Sequence, residues 1–242
     1  MSVILTIAGR ELAAYFKTWT GYIITIAYLV LTSALFHALV VGAAAKYSAE
    51  MLYDFFYYPG GVTIAAGIFL GMRLIAEEKQ LGTAVILFTS PISARQIIYG
   101  KFLSAMITIF ILLALTLYMP ALIKHYGKIS YGHLAAGYLC VFFIGNCALA
   151  ITLFMSTLTS HQLIAAILGA VGVSLFLMVW MLAEKVNQPF SELFSYIAIH
   201  NNHFSSFANG VVHTKSIVFY ISFIWVFLEF SVRALESRRW RG

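Results

Sequence analysis

Charge is scarce in this 242-residue chain. Asp, Glu, Lys and Arg make up 10% of it, against 62% hydrophobic residues and a mean hydropathy of +0.91. A soluble globular domain carries about a quarter charged residues, so the shortage excludes a water-soluble enzyme, a disordered chain and a coiled coil alike. Cysteine is scarce too. Cys140 and Cys147 fall in one apolar run, which supplies neither a disulfide framework nor a zinc knuckle. The first residues lack a basic region followed by a long apolar stretch, and a cleaved signal peptide is not expected. Acidic residues are fewer than basic ones, 9 against 15, for a net charge of +6. In so apolar a chain that excess marks membrane faces, and no nucleic-acid partner is expected.

The motifs of catalysis are missing as well. The pairs Gly100-Lys101 and Gly127-Lys128 lack both the earlier glycine and the following hydroxyl of a P-loop. Among seven histidines only His37 lies within an apolar run, so paired haem ligands are absent. His200 and His203 sit three apart without a third ligand, which argues against a zinc site. No Gly-x-Ser-x-Gly elbow occurs. The expectation is a chain with no catalytic residue, no metal and no cofactor of its own.

Apolar runs are abundant. About 20 such residues cross a bilayer as a helix, and six runs qualify: 20–41, 59–75, 102–123, 134–156, 163–183 and 216–235. Pro59 suits the first position of the second span, and Pro120 falls near the end of the third. The fold class is therefore all-α, a polytopic membrane protein with six transmembrane helices. Ten of the fifteen Lys and Arg flank the spans on the side of the termini, Arg10, Arg73, Lys101 and Arg239 among them. That bias makes both termini cytoplasmic. Tyr47, Tyr53, Tyr57 and Tyr58 suit an aromatic belt at the outer surface.

Three segments are not spans. In residues 1–19, Leu5, Ala8, Leu12, Tyr15, Phe16 and Trp19 share one helical face and Thr6, Arg10 and Lys17 the other, an amphipathic helix in the interface. Residues 76–100 begin with Glu77-Glu78-Lys79, break at Gly82-Thr83 and restart at Ser90-Pro91, with Ser90 as N-cap and Pro91 at the first helical position. Gly100 closes this second short helix, and the pair forms a rigid cytoplasmic knob. Residues 184–215 place Pro189, Leu193, Phe194, Phe204 and Phe207 among polar residues. They are expected as short re-entrant or amphipathic helices at the outer side.

Polar groups inside the spans are few. Asn146 suits an interhelical hydrogen bond, Glu229 and Arg233 an i, i+4 pair, and Arg73 either a link to them or a snorkelling role. Ala165, Gly169 and Val173 form a small-residue ridge for close packing, within or between subunits. An intramembrane enzyme needs polar residues converging at one depth, and this chain does not supply them.

The knob motif, Glu77-Glu78-Lys79-x-x-Gly82-Thr83, Thr89-Ser90-Pro91-Ile92-Ser93 and Ile97-x-x-Gly100-Lys101, resembles the segment before the third span of ABC-2 type transporter permeases. Arg10-Glu11-Leu12-x-x-Tyr15-Phe16 is similar to that family's N-terminal interfacial helix, and Ser156–Gln162 to its short fourth loop. His203-Phe204-x-x-Phe207-x-x-Gly210-Val211 and the tail Leu235–Arg241 resemble the gliding-motility-associated branch. The chain departs from that branch at Ala84-Val85, Asn209 and His213.

The resemblance implies one permease domain over residues 1–242, of the type V exporter-like architecture, in a bacterial inner membrane. It implies a dimer of permeases, each docking a separate ATPase subunit that holds the ATP and Mg, with a periplasmic auxiliary subunit as a further partner beside membrane lipids. The coupling helix would lie in residues 76–100, with Glu77, Glu78, Gly82, Thr83, Ser90, Pro91, Ile92, Gly100 and Lys101 as its site residues. Glu77 and Glu78 would serve charge contacts and the helix start, and Gly82 the turn; loop 157–162 would add a smaller contact. The implied function is substrate export driven by the external ATPase. The alternative is a mechanical subunit driving an envelope machine such as gliding motility or secretion.

Overall fold

The structure, a computed structural model, describes residues 3–41, 48–83, 92–126, 130–183, 198–199 and 201–239. Among the described residues there are nine α-helices and no strand. They are α1 (Val3–Lys17), α2 (Trp19–Leu35, running on into a π-helical stretch, Phe36–Val41), α3 (Ser48–Gln80), α4 (Ala94–Leu115), α5 (Tyr118–Tyr126), α6 (Tyr131–Leu158), α7 (Gln162–Ala183), α8 (Asn201–Ala208) and α9 (Thr214–Arg239). Six stretches are long and apolar enough to cross a membrane: Trp19–Val40, Glu50–Gln80, Ala94–His125, Tyr131–Leu158, Gln162–Met181 and Thr214–Ser237.

Two span starts differ from the sequence expectation. Pro59 lies inside α3, not at its beginning. Its missing N–H costs the Phe55 carbonyl a ladder bond, but neighbouring helices keep a proline-interrupted helix intact in a membrane. At about 1.5 Å per residue, the 33-residue α3 is roughly 50 Å long, well beyond a hydrocarbon core of about 30 Å. The third span likewise begins at Ala94 and is interrupted at Thr116-Leu117. Pro120 then sits in the first turn of α5, where its missing donor has no intrahelical partner to lose.

The core is built around α6, the most buried of the six. Helix α3 lies against it so closely that a Cβ on Gly67 would come within 2.5 Å of the Gly145 carbonyl oxygen. Without a hydrophobic drive between helices in lipid, such backbone approach is what small residues provide. The ridge of Ala165, Gly169 and Val173 is used inside the chain: a Cβ on Gly169 would meet Thr152 of α6 at 2.6 Å. Asn146 corrects its expectation. Its amide donates to the Phe142 carbonyl one turn back, 2.8 Å, and its buried Oδ1 has no partner among the described residues. Cys140 and Cys147 are free and buried.

At the end of the bundle away from α1, α8 packs on the N-terminal part of α3 and on α6. Phe204 meets Tyr53 and Tyr57 edge-on at 5.7 and 5.9 Å, and Tyr220 donates to the Ile199 carbonyl at 2.9 Å. His133 holds the Ala208 carbonyl, and Gly210 turns the chain with φ +80°. Tyr47, Pro189, Leu193, Phe194 and His200 lie outside the described residues.

Candidate functional site: the end of α3 and its ion-pair cluster

Glu77, Glu78 and Lys79 occupy the last turn of α3. Carboxylates there face the negative end of the helix dipole, so they need cations. Arg73, one turn earlier, clamps Glu77 bidentately, Nε to Oε2 at 2.8 Å and Nη2 to Oε1 at 3.1 Å. Glu78 takes Lys101 of α4 at 2.8 Å. The sequence expectation of a helix start at Glu77-Glu78 is thereby corrected: the helix arriving from the span ends here, and both carboxylates turn inward.

Lys101 is the centre of the cluster. Only 2% of it is exposed, and its ammonium also donates to Glu11 Oε1 of α1 at 3.1 Å. An ammonium in so dry a place survives by pairing, because its desolvation costs several kcal/mol (~) unless carboxylates surround it. Burial alone would raise the Glu11 carboxyl, but Lys101 beside it and Arg10, 3.2 Å away, bring it below its ordinary value.

Lys79 points the other way. Its ammonium donates to the carbonyls of Thr157 at 2.5 Å and Thr159 at 3.2 Å, where the C-terminus of α6 leaves unpaired acceptors. Gln80 accepts from the Gln162 amide at the start of α7, 3.3 Å. One turn earlier, the Ser156 hydroxyl inserts into α3, receiving the Ala76 amide at 2.8 Å and donating to the Met72 carbonyl at 3.1 Å. The end of α3 is thus bolted to α1, α4, α6 and the loop before α7.

Beyond Gln80 the chain turns sharply. Gly82 has φ +74°, a left-handed conformation favourable to glycine, and its amide donates to the Lys79 carbonyl at 3.2 Å. Thr83 donates its hydroxyl to the Glu78 carbonyl, 3.2 Å. Leu81, 69% exposed, caps this tip together with exposed Gly82 and Thr83. Sequence reading missed Leu81, and the only signal for it was an apolar residue between a charged turn and a Gly-Thr pair.

Ser90 and Pro91 lie outside the described residues. Helix α4 is capped by Ser93: its hydroxyl accepts the Gln96 amide, and the Gln96 side chain accepts the Ser93 amide, a reciprocal capping box. Ile92 is half-buried just before it. Gly100 does not close a short helix, because α4 runs without interruption from Ala94 to Leu115. It serves close approach: a Cβ there would stand 2.9 Å from Ile7 of α1. Ile7 and Ala8 are accordingly buried on α4, while Leu5, Phe16 and Trp19 stay exposed at 51%, 40% and 83%.

The expected Glu229–Arg233 pair is also corrected. Glu229 of α9 accepts from Arg95 and from Tyr99 of α4, each at 2.9 Å. Arg95 sits two residues past Ser93, the cap of α4. Arg73 is committed to Glu77.

No curated protein matches the chain. The family described as ABC-2 family transporter protein matches residues 38–230, well over half of it, from the end of the first span almost to the end of the last. With six helices apolar enough to span a membrane, this match establishes a multi-pass membrane protein that belongs to the ABC-2 family of transporter membrane components.

Proposed function

We propose that this chain is the permease subunit of an ABC-2 complex, and that the tip of α3 with the following residues to Lys101 is where a separate ATPase subunit docks. Family membership implies an ABC ATPase partner and a membrane subunit that is generally non-catalytic. The observation that carries the docking assignment is the fixed end of α3. Lys101 ties Glu78 to Glu11, and Lys79 ties the same turn to the end of α6. A push on the exposed Leu81–Thr83 tip therefore reaches three membrane elements and the interfacial helix without a flexible joint. Loop 157–162, held by Lys79 and Gln80, moves with the tip and forms one surface with it.

On this reading the termini and the tip face the cytoplasm, in the inner membrane of a bacterium. ATP and Mg bind the partner, and a second permease copy completes the complex. The motif around Phe204 and Phe207, and the basic tail, favour the gliding-motility-associated branch, with a periplasmic subunit as a further partner. ATP closure would bias two packings of the dimer through differential contact at the tip. The test is ATP hydrolysis by the reconstituted complex. Leu81→Asp with Thr83→Asp should abolish stimulation by the permease while leaving the purified chain folded; unchanged stimulation would reject the docking assignment.

A further inference from the structure

A cavity of about 120 Å³ lies beneath α1, between that helix, α3 and α4, and none of the roles above uses it. Its polar lining is Glu11, Tyr15, Thr18, Arg73, Glu77, Ser104 and Thr108, of which Thr18 donates its hydroxyl to the Tyr15 carbonyl at 3.2 Å. Where each proton goes decides what the cavity can hold. Ser104 donates its hydroxyl to the Lys101 carbonyl at 2.7 Å, and Thr108 donates to the Ser104 carbonyl at 2.9 Å. The Thr25 hydroxyl is spent on the Gly21 carbonyl at 2.9 Å, so Tyr15 is the donor in its 3.5 Å contact with Thr25. Each hydroxyl thus keeps only lone pairs for an occupant.

The carboxylates add to this. Arg10 and Lys101 both donate to Oε1 of Glu11, and no described residue donates to its Oε2. Glu77 uses one lone pair on each oxygen for Arg73. The remaining donors on the wall are the N–H groups of Arg73 that Glu77 leaves unused. The lining therefore asks for a compact cation carrying several N–H groups, with an anionic group within reach of one guanidinium. The surroundings say where such a molecule comes from. Leu5 and Phe16 of the same helix, and Trp19 at the start of α2, are exposed and apolar, which sets α1 at the level of lipid headgroups.

We propose that this cavity binds the headgroup of an aminophospholipid, its primary ammonium among the acceptors of Glu11, Ser104 and Thr108 and its phosphate toward Arg73. Native mass spectrometry and thermal unfolding of the full chain, with phosphatidylethanolamine, phosphatidylcholine or free ethanolamine added, test this. The trimethylammonium of phosphatidylcholine has no N–H to donate, so phosphatidylethanolamine should bind about tenfold more tightly, the equivalent of one charge-assisted hydrogen bond. Thr108→Val removes one acceptor at nearly constant volume and should cut that preference severalfold. Ala14→Phe, at an exposed position on the cavity wall, should abolish it by filling the space even if Thr108→Val folds poorly. Equal binding of the two lipids overturns the proposal. So does full competition by free ethanolamine at millimolar concentration, which would make the ligand a soluble amine, or a preference that survives Ala14→Phe.

Discussion

Replacing Lys101 by methionine keeps most of the length of the side chain and deletes the charge at the centre of the cluster. In the native chain the ammonium is 2% exposed and stands 2.8 and 3.1 Å from two carboxylates that are themselves about one-fifth to one-quarter exposed. At an effective dielectric near 20, each contact is worth about 5–6 kcal/mol of gross attraction. Most of that offsets desolvation. The variant, however, keeps the desolvation of Glu11 and Glu78 and sets two like charges against one another. Removing one partner of a buried ionic cluster costs about 3–5 kcal/mol, which for a chain of this size lowers the unfolding midpoint by about 6–20 °C. Neutralising all three groups, Lys101→Met with Glu11→Gln and Glu78→Gln, removes the stranded charges and should recover more than half of the loss. Thermal unfolding of the native chain, the single variant and the triple variant in one detergent measures this. A Lys101→Met protein that melts with the native chain, or a triple variant no better than the single one, would refute the reasoning.

Three further outcomes follow from the same contacts. The Glu11 carboxyl is held below its ordinary value of 4.5, so its contribution is fully present above that value and is lost as pH falls through the lower folded one; proteolysis of α1 should accelerate only in that acid window. Gly100→Leu drives a side chain into Ile7, 2.9 Å from the first added carbon, and should cost about 1–3 kcal/mol and expose α1 to protease, with partial rescue by Ile7→Ala. Ser156→Ala strips a buried partner from the Ala76 amide and the Met72 carbonyl, a loss of about 1–3 kcal/mol visible as a lowered unfolding midpoint.

The six spans were legible because hydropathy over some twenty residues is a strong signal that tertiary contacts do not overturn. Their ends were less so. Pro59 reads as a helix start in isolation, yet α3 passes through it because neighbouring helices hold both sides. Gly82 was legible, since a glycine after a charged turn carries its own backbone reason. Gly100 looked like the same kind of stop and proved to be a contact with Ile7, more than ninety residues away in another helix. Ion pairs were the least legible: Glu229 had Arg233 at the right spacing, but Arg95 and Tyr99 reach it across the bundle. Lys101 was visible only as part of a motif, and its burial between Glu11 and Glu78 depends on three helices meeting.

The proposed docking of an ATPase at the tip of α3 is tested most directly by a photo-crosslinking residue at Leu81. In membranes containing the co-expressed ATPase subunit, illumination should join the two chains at Leu81 and at Thr83. A residue at Tyr57, at the opposite end of α3, should give no such product. Crosslinking to the ATPase from position 57 and none from 81 would contradict the account.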